Sequence, residues 1–246
     1  EQVRVITPFV GGGFGGKKSG RQISEAVKLS KITGHPVQVG WTRKEEFFYD
    51  AFRPAAVVQL KSGLNANARI TFWDCDLLFT GSRSSEPIYD IAHYSVKTRS
   101  AGNVHPFATG AWRGPGSNTN VFAMESFTDM LALAAGIDPL TFRLNNSSDK
   151  RLIRVLEKAV DKFGQQFKKG PSGQGFGISC TNYLNTYVAT IAEVDVNSTT
   201  GKVKVKRVVV AQDMGEIINP QGATLQIESG ITMGLSAALS EEIKFN

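Results

Sequence analysis

Cysteine and histidine are scarce, and their scarcity closes off most protein-borne metal chemistry. Cys75 and Cys180 are the two cysteines in 246 residues. They make neither a disulfide framework nor a zinc or iron–sulfur cluster, so any such centre would lie on another chain. His35, His93 and His105 are scattered without ligand spacing and read as surface or loop residues. Long apolar runs are missing too: none approaches the roughly 18 residues that span a bilayer, so no membrane span is expected. No cleavable leader is visible. The chain reads as a soluble protein of the cytoplasm or periplasm. Charge is only mildly one-sided, at +6. Its clusters are small: Lys17-Lys18, Lys168-Lys169 and Lys202 to Arg207. The last alternates as the solvent face of a strand, with Val203 and Val205 inward. No recognition module accompanies the charge, so no nucleic-acid partner is expected.

Glycine, in contrast, is concentrated. Gly11 to Gly16 reads Gly-Gly-Gly-Phe-Gly-Gly, with Lys17 and Lys18 behind it. Val3 to Val10 upstream has the alternation of a strand. Arg21 to Thr33 downstream carries Ile23, Ala26, Val27 and Ile32 at helical spacing. A strand, a glycine-rich turn and a helix form a place to hold an anion, because glycines let a ligand approach backbone N–H groups. Gly11-x-Gly13-x-x-Gly16 also satisfies a dinucleotide fingerprint. That reading wants a carboxylate ending the next strand, here Val37 to Trp41, and none is there. A phosphate-binding P-loop would need Ser or Thr where Lys18 stands. The remaining alternative is a loop that only turns the chain.

Further on, Phe47, Phe48, Tyr49 and Phe52 are expected in the core. Ala56 to Lys61 and Arg69 to Phe79 read as a hairpin whose tip, Ser62 to Ala68, has Asn and Gly for left-handed backbone. Val96 to Ser100 is a candidate strand. Thr109-Gly-Ala-Trp-Arg-Gly-Pro-Gly116 is a stiff, non-helical loop. It reads either as a buried Trp beside a salt-bridged Arg or as a loop presenting N–H groups and an aromatic or cationic face to a ligand. A helix follows from Asn120 to Ala135, with Phe122, Phe127, Met130, Leu131 and Ala134 expected on its buried side, stopped by Gly136. Asp138-Pro139 starts a short helix, and Asp149 caps another over Lys150 to Phe163. Gln165 to Gly175 is the linker candidate. Phe176 to Thr181 reads as a strand, and Tyr187 to Val196 with Lys202 to Gln212 as a hairpin. Asn219-Pro220 opens a helix to Leu239 with Gly222, Gln226, Gly230, Gly234 and Ala238 four apart. That stripe serves either tight helix packing or a flat ligand, with Gln226 as the polar reach. Glu241 to Asn246 begins a strand. The chain reads as cut in mid-element at both ends.

Three motifs in this order resemble the molybdenum-binding part of the xanthine dehydrogenase/aldehyde oxidase superfamily. They are Gly-Gly-Gly-Phe-Gly-Gly, Gly-Ala-Trp-Arg-Gly-Pro-Gly, and Asn219-Pro220 with Gln226-Ile-Glu-Ser-Gly-Ile-Thr-Met-Gly-Leu. Phe52-Arg-Pro-Ala and the Leu-Ser-Ala-Ala-Leu ending look most like the large subunit of isoquinoline 1-oxidoreductase-type enzymes. The resemblance implies an α+β fold of mixed β-sheets with packed helices in two cofactor-binding lobes, residues 1–164 and 176–246. It implies a molybdopterin cofactor with molybdenum, in the cytosine dinucleotide form. Gly12, Gly13, Phe14 and Gly15, then Trp112, Arg113 and Gly114, and finally Gln226 would lie at that cofactor. The implied reaction is oxidation of a small N-heterocycle with oxygen from water. Electrons would leave to a partner subunit carrying two-iron two-sulfur clusters. An aldehyde substrate and a non-catalytic scaffold are the alternatives. The family's catalytic base, a glutamate in a Gly-Glu motif, matches neither Glu241 nor Glu242, so no catalytic residue is assigned and the fragment alone is expected to be inactive. Pro115 departs from the Phe or Ala of many relatives.

Overall fold

The structure, a computed structural model, describes residues 4–6, 9, 11–15, 20–100, 108–164 and 173–244. Gly16 with Lys17-Lys18, His105 and residues 165–172 of the expected linker lie outside the described residues. The order of elements is α1 (Arg21–Thr33), α2 (Arg43–Tyr49), β1 (Val57–Leu64), β2 (Ile70–Leu78), β3 (Tyr94–Arg99), α3 (Ser117–Ala135), α4 (Pro139–Asn145), α5 (Lys150–Phe163), β4 (Gln174–Tyr183), β5 (Thr186–Val196), β6 (Val203–Asp213) and α6 (Pro220–Leu239). The strands form two three-stranded sheets, β1-β2-β3 and β4-β5-β6. The chain divides into two compact units. One comprises Glu1–Gln59, Cys75–Ser85 and Val96–Asn120, the other Leu60–Asp74, Glu86–Ser95 and Val121–Asn246.

Helices form where the chain supplies its own end signals. Helix α1 stops at Gly34, whose left-handed backbone returns its N–H to the Ser30 carbonyl. Helix α2 begins with a reciprocal cap: Thr42 accepts from the Glu45 N–H, and the Glu45 carboxylate accepts from the Thr42 N–H. Asp149 caps α5 and Asn219 caps α6 through their side chains. The expected core role of the α2 aromatics does not hold. Phe47, Phe48 and Tyr49 are all exposed, because α2 is a short helix of about two turns with no buried residue.

Strands form only where another strand takes their hydrogen bonds. Residues 37–41 have strand-like alternation but no ladder, and the described residues among 4–9 have none either, so the expected β–α–β unit is not formed among them. The described part of the expected C-terminal strand, 241–244, is likewise irregular. The β1–β2 hairpin is present, although its tip is tighter than expected: Gly63 lies within β1 and Ala68 adopts φ 56. Asn65 holds that turn by accepting from the N–H groups of Asn67 and Arg69. The β2–β3 contacts run from Trp73 to His93 and from Phe79 to Arg99 at one constant offset, the mark of a parallel neighbour. The second sheet is antiparallel throughout.

In the second unit, α5 lays Leu152, Val155, Leu156, Ala159 and Phe163 on the β4–β6 sheet, whose Ile178, Ala189 and Ile191 are also buried. Each fully buried aliphatic or aromatic side chain there contributes about 1.5–3 kcal/mol. Arg151 fastens the start of α5 to the end of β6 by bonding both Asp213 carboxylate oxygens, at 2.9 and 2.7 Å. That guanidinium, with the Gly215 N–H, draws the Asp213 carboxyl down to about 2.

Helix α3 turns a different face inward from the one its apolar residues suggest. Phe122 and Met130 are exposed, while Met124, Glu125, Thr128, Leu131 and Ala132 are buried. The reason is Arg143 of α4, whose side chain is wholly buried. It bonds Glu125 at 3.1 Å and Asp129 at 2.7 Å, and it donates to the Pro139 and Glu125 carbonyls. Glu125 is in turn bonded by the Tyr89 hydroxyl and the Cys180 N–H, each at 2.7 Å. Burial works against the charged guanidinium, but Glu125, Tyr89 and Asp129 hold its pKa above the usual value. Burial, then Glu125, raises the Tyr89 hydroxyl and the Cys180 thiol well above their ordinary range. Removing one member leaves a charge uncompensated in the interior. Arg143→Met is therefore expected to cost about 3–5 kcal/mol in urea unfolding, against less than about 0.5 kcal/mol for the surface change Lys204→Ala. A loss under about 1 kcal/mol for Arg143→Met would contradict this account.

Candidate functional site

In the first unit the two loops singled out by sequence meet backbone to backbone. A Cβ built on Gly15 would lie 1.9 Å from the Ala111 carbonyl oxygen and 3.0 Å from the Trp112 Cα, so only glycine permits the approach. Gly15 also holds φ 133, which disfavours any other residue. Phe14 takes the left-handed φ 49, and the Arg113 guanidinium stands 5.7 Å from its ring centroid. A cation over an aromatic face at this range is attractive. Gly12, Gly13, Phe14, Gly15, Trp112, Arg113 and Gly114 thus belong to one neighbourhood, built on the Gly15–Ala111 contact and its cation–π pair. Gly114 holds φ 71 with open space around it.

The Trp–Arg loop is pinned at both ends. On its leading side, Phe52 donates to the Ala108 carbonyl at 2.8 Å and accepts from the Gly110 N–H at 2.9 Å. Gly110 fits there because a Cβ would lie 2.6 Å from that of Ala51. On its trailing side, a Cβ at Gly116 would lie 2.8 Å from the Thr80 carbonyl oxygen. Asn120, buried at the start of α3, donates to the Gly81 and Arg83 carbonyls at 2.9 and 2.8 Å and accepts from the Thr80 hydroxyl at 3.2 Å. These clamps leave a cavity of about 440 Å³ lined by Arg53, Arg83, Thr80, Thr109, Trp112 and Asn118, among others. Sequence reading placed Arg53 in the Phe52-Arg-Pro-Ala motif and Asn120 at a helix start, but gave neither of them, nor residues 80–83, a role at the site. The one signal available was a Gly-Ser-Arg turn directly after a strand.

Gln226 belongs to the second unit. It lines a cavity of about 330 Å³ between α6 and the sheet, with Gly230, Val188, Thr190, Val208 and Val210. Nothing lies within 4 Å of a Cβ built at Gly230 or Gly234. Among the described residues no neighbour packs against the stripe at these two glycines. Among the described residues no group of three or more His, Cys, Asp or Glu could hold a metal ion, and no helix is long and apolar enough to cross a membrane.

Comparison with known proteins places these loops in a family. Residues 1–147 match one molybdopterin cofactor-binding domain and residues 153–246 match a second. The chain belongs to the molybdopterin cofactor-binding domain family, the large-subunit family of xanthine dehydrogenase and aldehyde oxidoreductase that its motifs resemble. It is 28% identical to a nicotinate dehydrogenase subunit of Pseudomonas putida, over 99% of this chain and 24% of that protein. It is 28% identical to the isoquinoline 1-oxidoreductase beta subunit of Brevundimonas diminuta, over 99% of this chain and 34% of that protein. The chain thus spans a quarter to a third of the length of these relatives. The aldehyde oxidoreductase of Desulfovibrio gigas shares its fold at a TM-score of 0.59, with 21% identity over 79% of this chain and 25% of that one. The α+β class with mixed sheets holds, and the match of residues 1–147 to a molybdopterin cofactor-binding domain argues against the nicotinamide-dinucleotide reading of the glycine loop.

The Gly15 contact and the α6 stripe predict opposite outcomes for one added methyl group. Gly15→Ala is expected to cost about 1–3 kcal/mol through overpacking alone. Gly234→Ala, mid-helix with open space, is expected to gain about 0.5–1 kcal/mol. Thermal unfolding of both variants decides it, and equal effects would contradict the geometry.

Proposed function

We propose that this chain is part of the large subunit of a molybdenum hydroxylase, and that its glycine-rich and Trp–Arg loops hold a molybdopterin cofactor. The observation that carries the reading is the close approach of Gly15 to Ala111, which brings two motifs far apart in sequence together. The residues fit an anionic pterin. Glycines leave backbone groups open to it, Gly114 faces free space, and no carboxylate lines the adjacent cavity. Backbone at Phe14, Gly15, Trp112, Arg113 and Gly114 would hold the molybdenum end. In the second unit Gln226, beside the open glycines of α6, is the residue assigned to cofactor contact, and the cofactor form proposed is the cytosine dinucleotide.

When bound, that group supplies two-electron oxidation of carbon with oxygen drawn from water. This chain's residues bind and orient. Arg113 stiffens the Phe14 turn, Asn120 and Phe52 fix the two ends of the Trp–Arg loop, and the cavity beside Trp112 gives the small-molecule substrate its room. Among relatives matched over 95% or more of this chain, those named for nicotinate, isoquinoline and xanthine outnumber one named for an aldehyde, which favours an N-heterocycle. Electrons would pass to an iron–sulfur subunit, since the chain's two cysteines are separate buried thiols.

Elemental analysis tests this on the full-length chain co-purified with its partner subunit. Molybdenum and pterin are expected in the wild type. Arg113→Ala should lower them by roughly tenfold or more, as loss of an orienting neighbour does at metal sites, and Lys204→Ala should not. No molybdenum in the wild type from a cell that makes the cofactor, or equal contents in the two variants, would contradict the proposal.

A further inference from the structure

The cavity beside Trp112 carries a charge imbalance that the cofactor reading does not use. Arg53 and Arg83 both line it, and among the described residues no aspartate or glutamate does. Among the described residues neither guanidinium has an acidic partner, whereas Arg99, Arg143, Arg151 and Arg207 each pair with a carboxylate. A guanidinium keeps its charge at any physiological pH and offers planar, forked donors that match a carboxylate in bidentate fashion. The remaining lining divides by character. Thr80, Thr109 and Asn118 add neutral hydrogen-bonding groups, while Pro54, Pro115 and the half-exposed Trp112 provide apolar and aromatic surface. At about 440 Å³ the space falls within the range of small-molecule pockets.

We propose that Arg53 and Arg83 form an anion subsite that takes the carboxylate of a small aromatic acid, with its ring against Trp112. The subsite deepens the hydroxylase reading by naming its substrate class, and it rests on that reading for the identity of the reaction. Two guanidiniums beside an indole face suit a flat monoanion: the fork engages the carboxylate and the ring covers apolar surface that phosphate would leave wet. An alternative source of the same negative charge is the cofactor's own phosphate. In that case the arginines would govern cofactor retention rather than ligand choice.

Calorimetric titration of the full-length protein with its partner subunit separates these cases, using benzoate, neutral benzamide and inorganic phosphate as probes. Benzoate is expected to bind at least about tenfold more tightly than either of the others, the scale of one lost charged contact. Arg53→Gln and Arg83→Gln should each weaken benzoate binding about tenfold or more, with molybdenum content and unfolding temperature unchanged. Both side chains are exposed, so neither substitution removes core packing. Benzamide or phosphate binding as tightly as benzoate would overturn the proposal. So would variants in which molybdenum content falls in step with benzoate binding, which would hand the arginines to the cofactor. A wild-type protein without molybdenum that still binds benzoate through these arginines would contradict the hydroxylase reading alone and support the subsite.

Discussion

The first unit depends on a place where two backbones touch with no room for a side chain. Gly15 lies so close to the Ala111 carbonyl that one added carbon would overlap it, and this approach sets where the Phe14 turn and the Trp–Arg loop stand. Everything else near the site supports one partner or the other. Arg113 reaches the Phe14 ring, Phe52 and Gly110 tie down the leading edge of the loop, and Gly116 with Asn120 ties its trailing edge to residues 80–83. Loops held in this way keep their backbone groups at fixed positions. The cost is intolerance of substitution at Gly15, Gly110 and Gly116.

The second unit is organised by a buried charge. Arg143 recruits Glu125 and Asp129 from α3, and Glu125 in turn recruits Tyr89 and the Cys180 N–H. This network joins α3, α4, β4 and the segment around Tyr89, all within that unit. Asn146 extends the same logic, accepting from the Ile70 N–H and donating to the Ala68 and Phe142 carbonyls, so that α4 is joined to the β1–β2 hairpin turn. A buried pair of this kind is weak evidence of net stability, yet it selects one helix face over another. That selection leaves apolar α3 side chains such as Phe122 and Met130 in solvent.

Much of the helical fold was legible because helix ends are local. Gly34, Asp149 and Asn219-Pro220 carry their signals within a few residues, and α1, α5 and α6 run over the spans those signals mark. Strands were most legible as hairpins, where the partner is the next segment; β3, read at Val96 to Ser100 and paired in parallel with β2, is the exception. Residues 37–41 have the alternation but no neighbouring edge among the described residues, and they form no strand. The buried face of α3 was illegible because its apolar residues surround the helix and a charge eighteen residues onward made the choice. Both loops of the candidate site were visible from glycine content and motif order. The shared cavity of Arg53, residues 80–83 and Trp112 was not, since nothing in the sequence of these segments indicates that they meet, although Arg53 stands in a motif that sequence picked out.

An experimental structure of the full-length protein, purified with its cofactor and partner subunit, tests the central claim most directly. The account predicts the molybdopterin with its metal end within hydrogen-bonding distance of backbone N–H groups at Phe14–Gly15 and Trp112–Gly114, and the Gly15–Ala111 approach intact. A cofactor ordered elsewhere, touching neither loop, would contradict it.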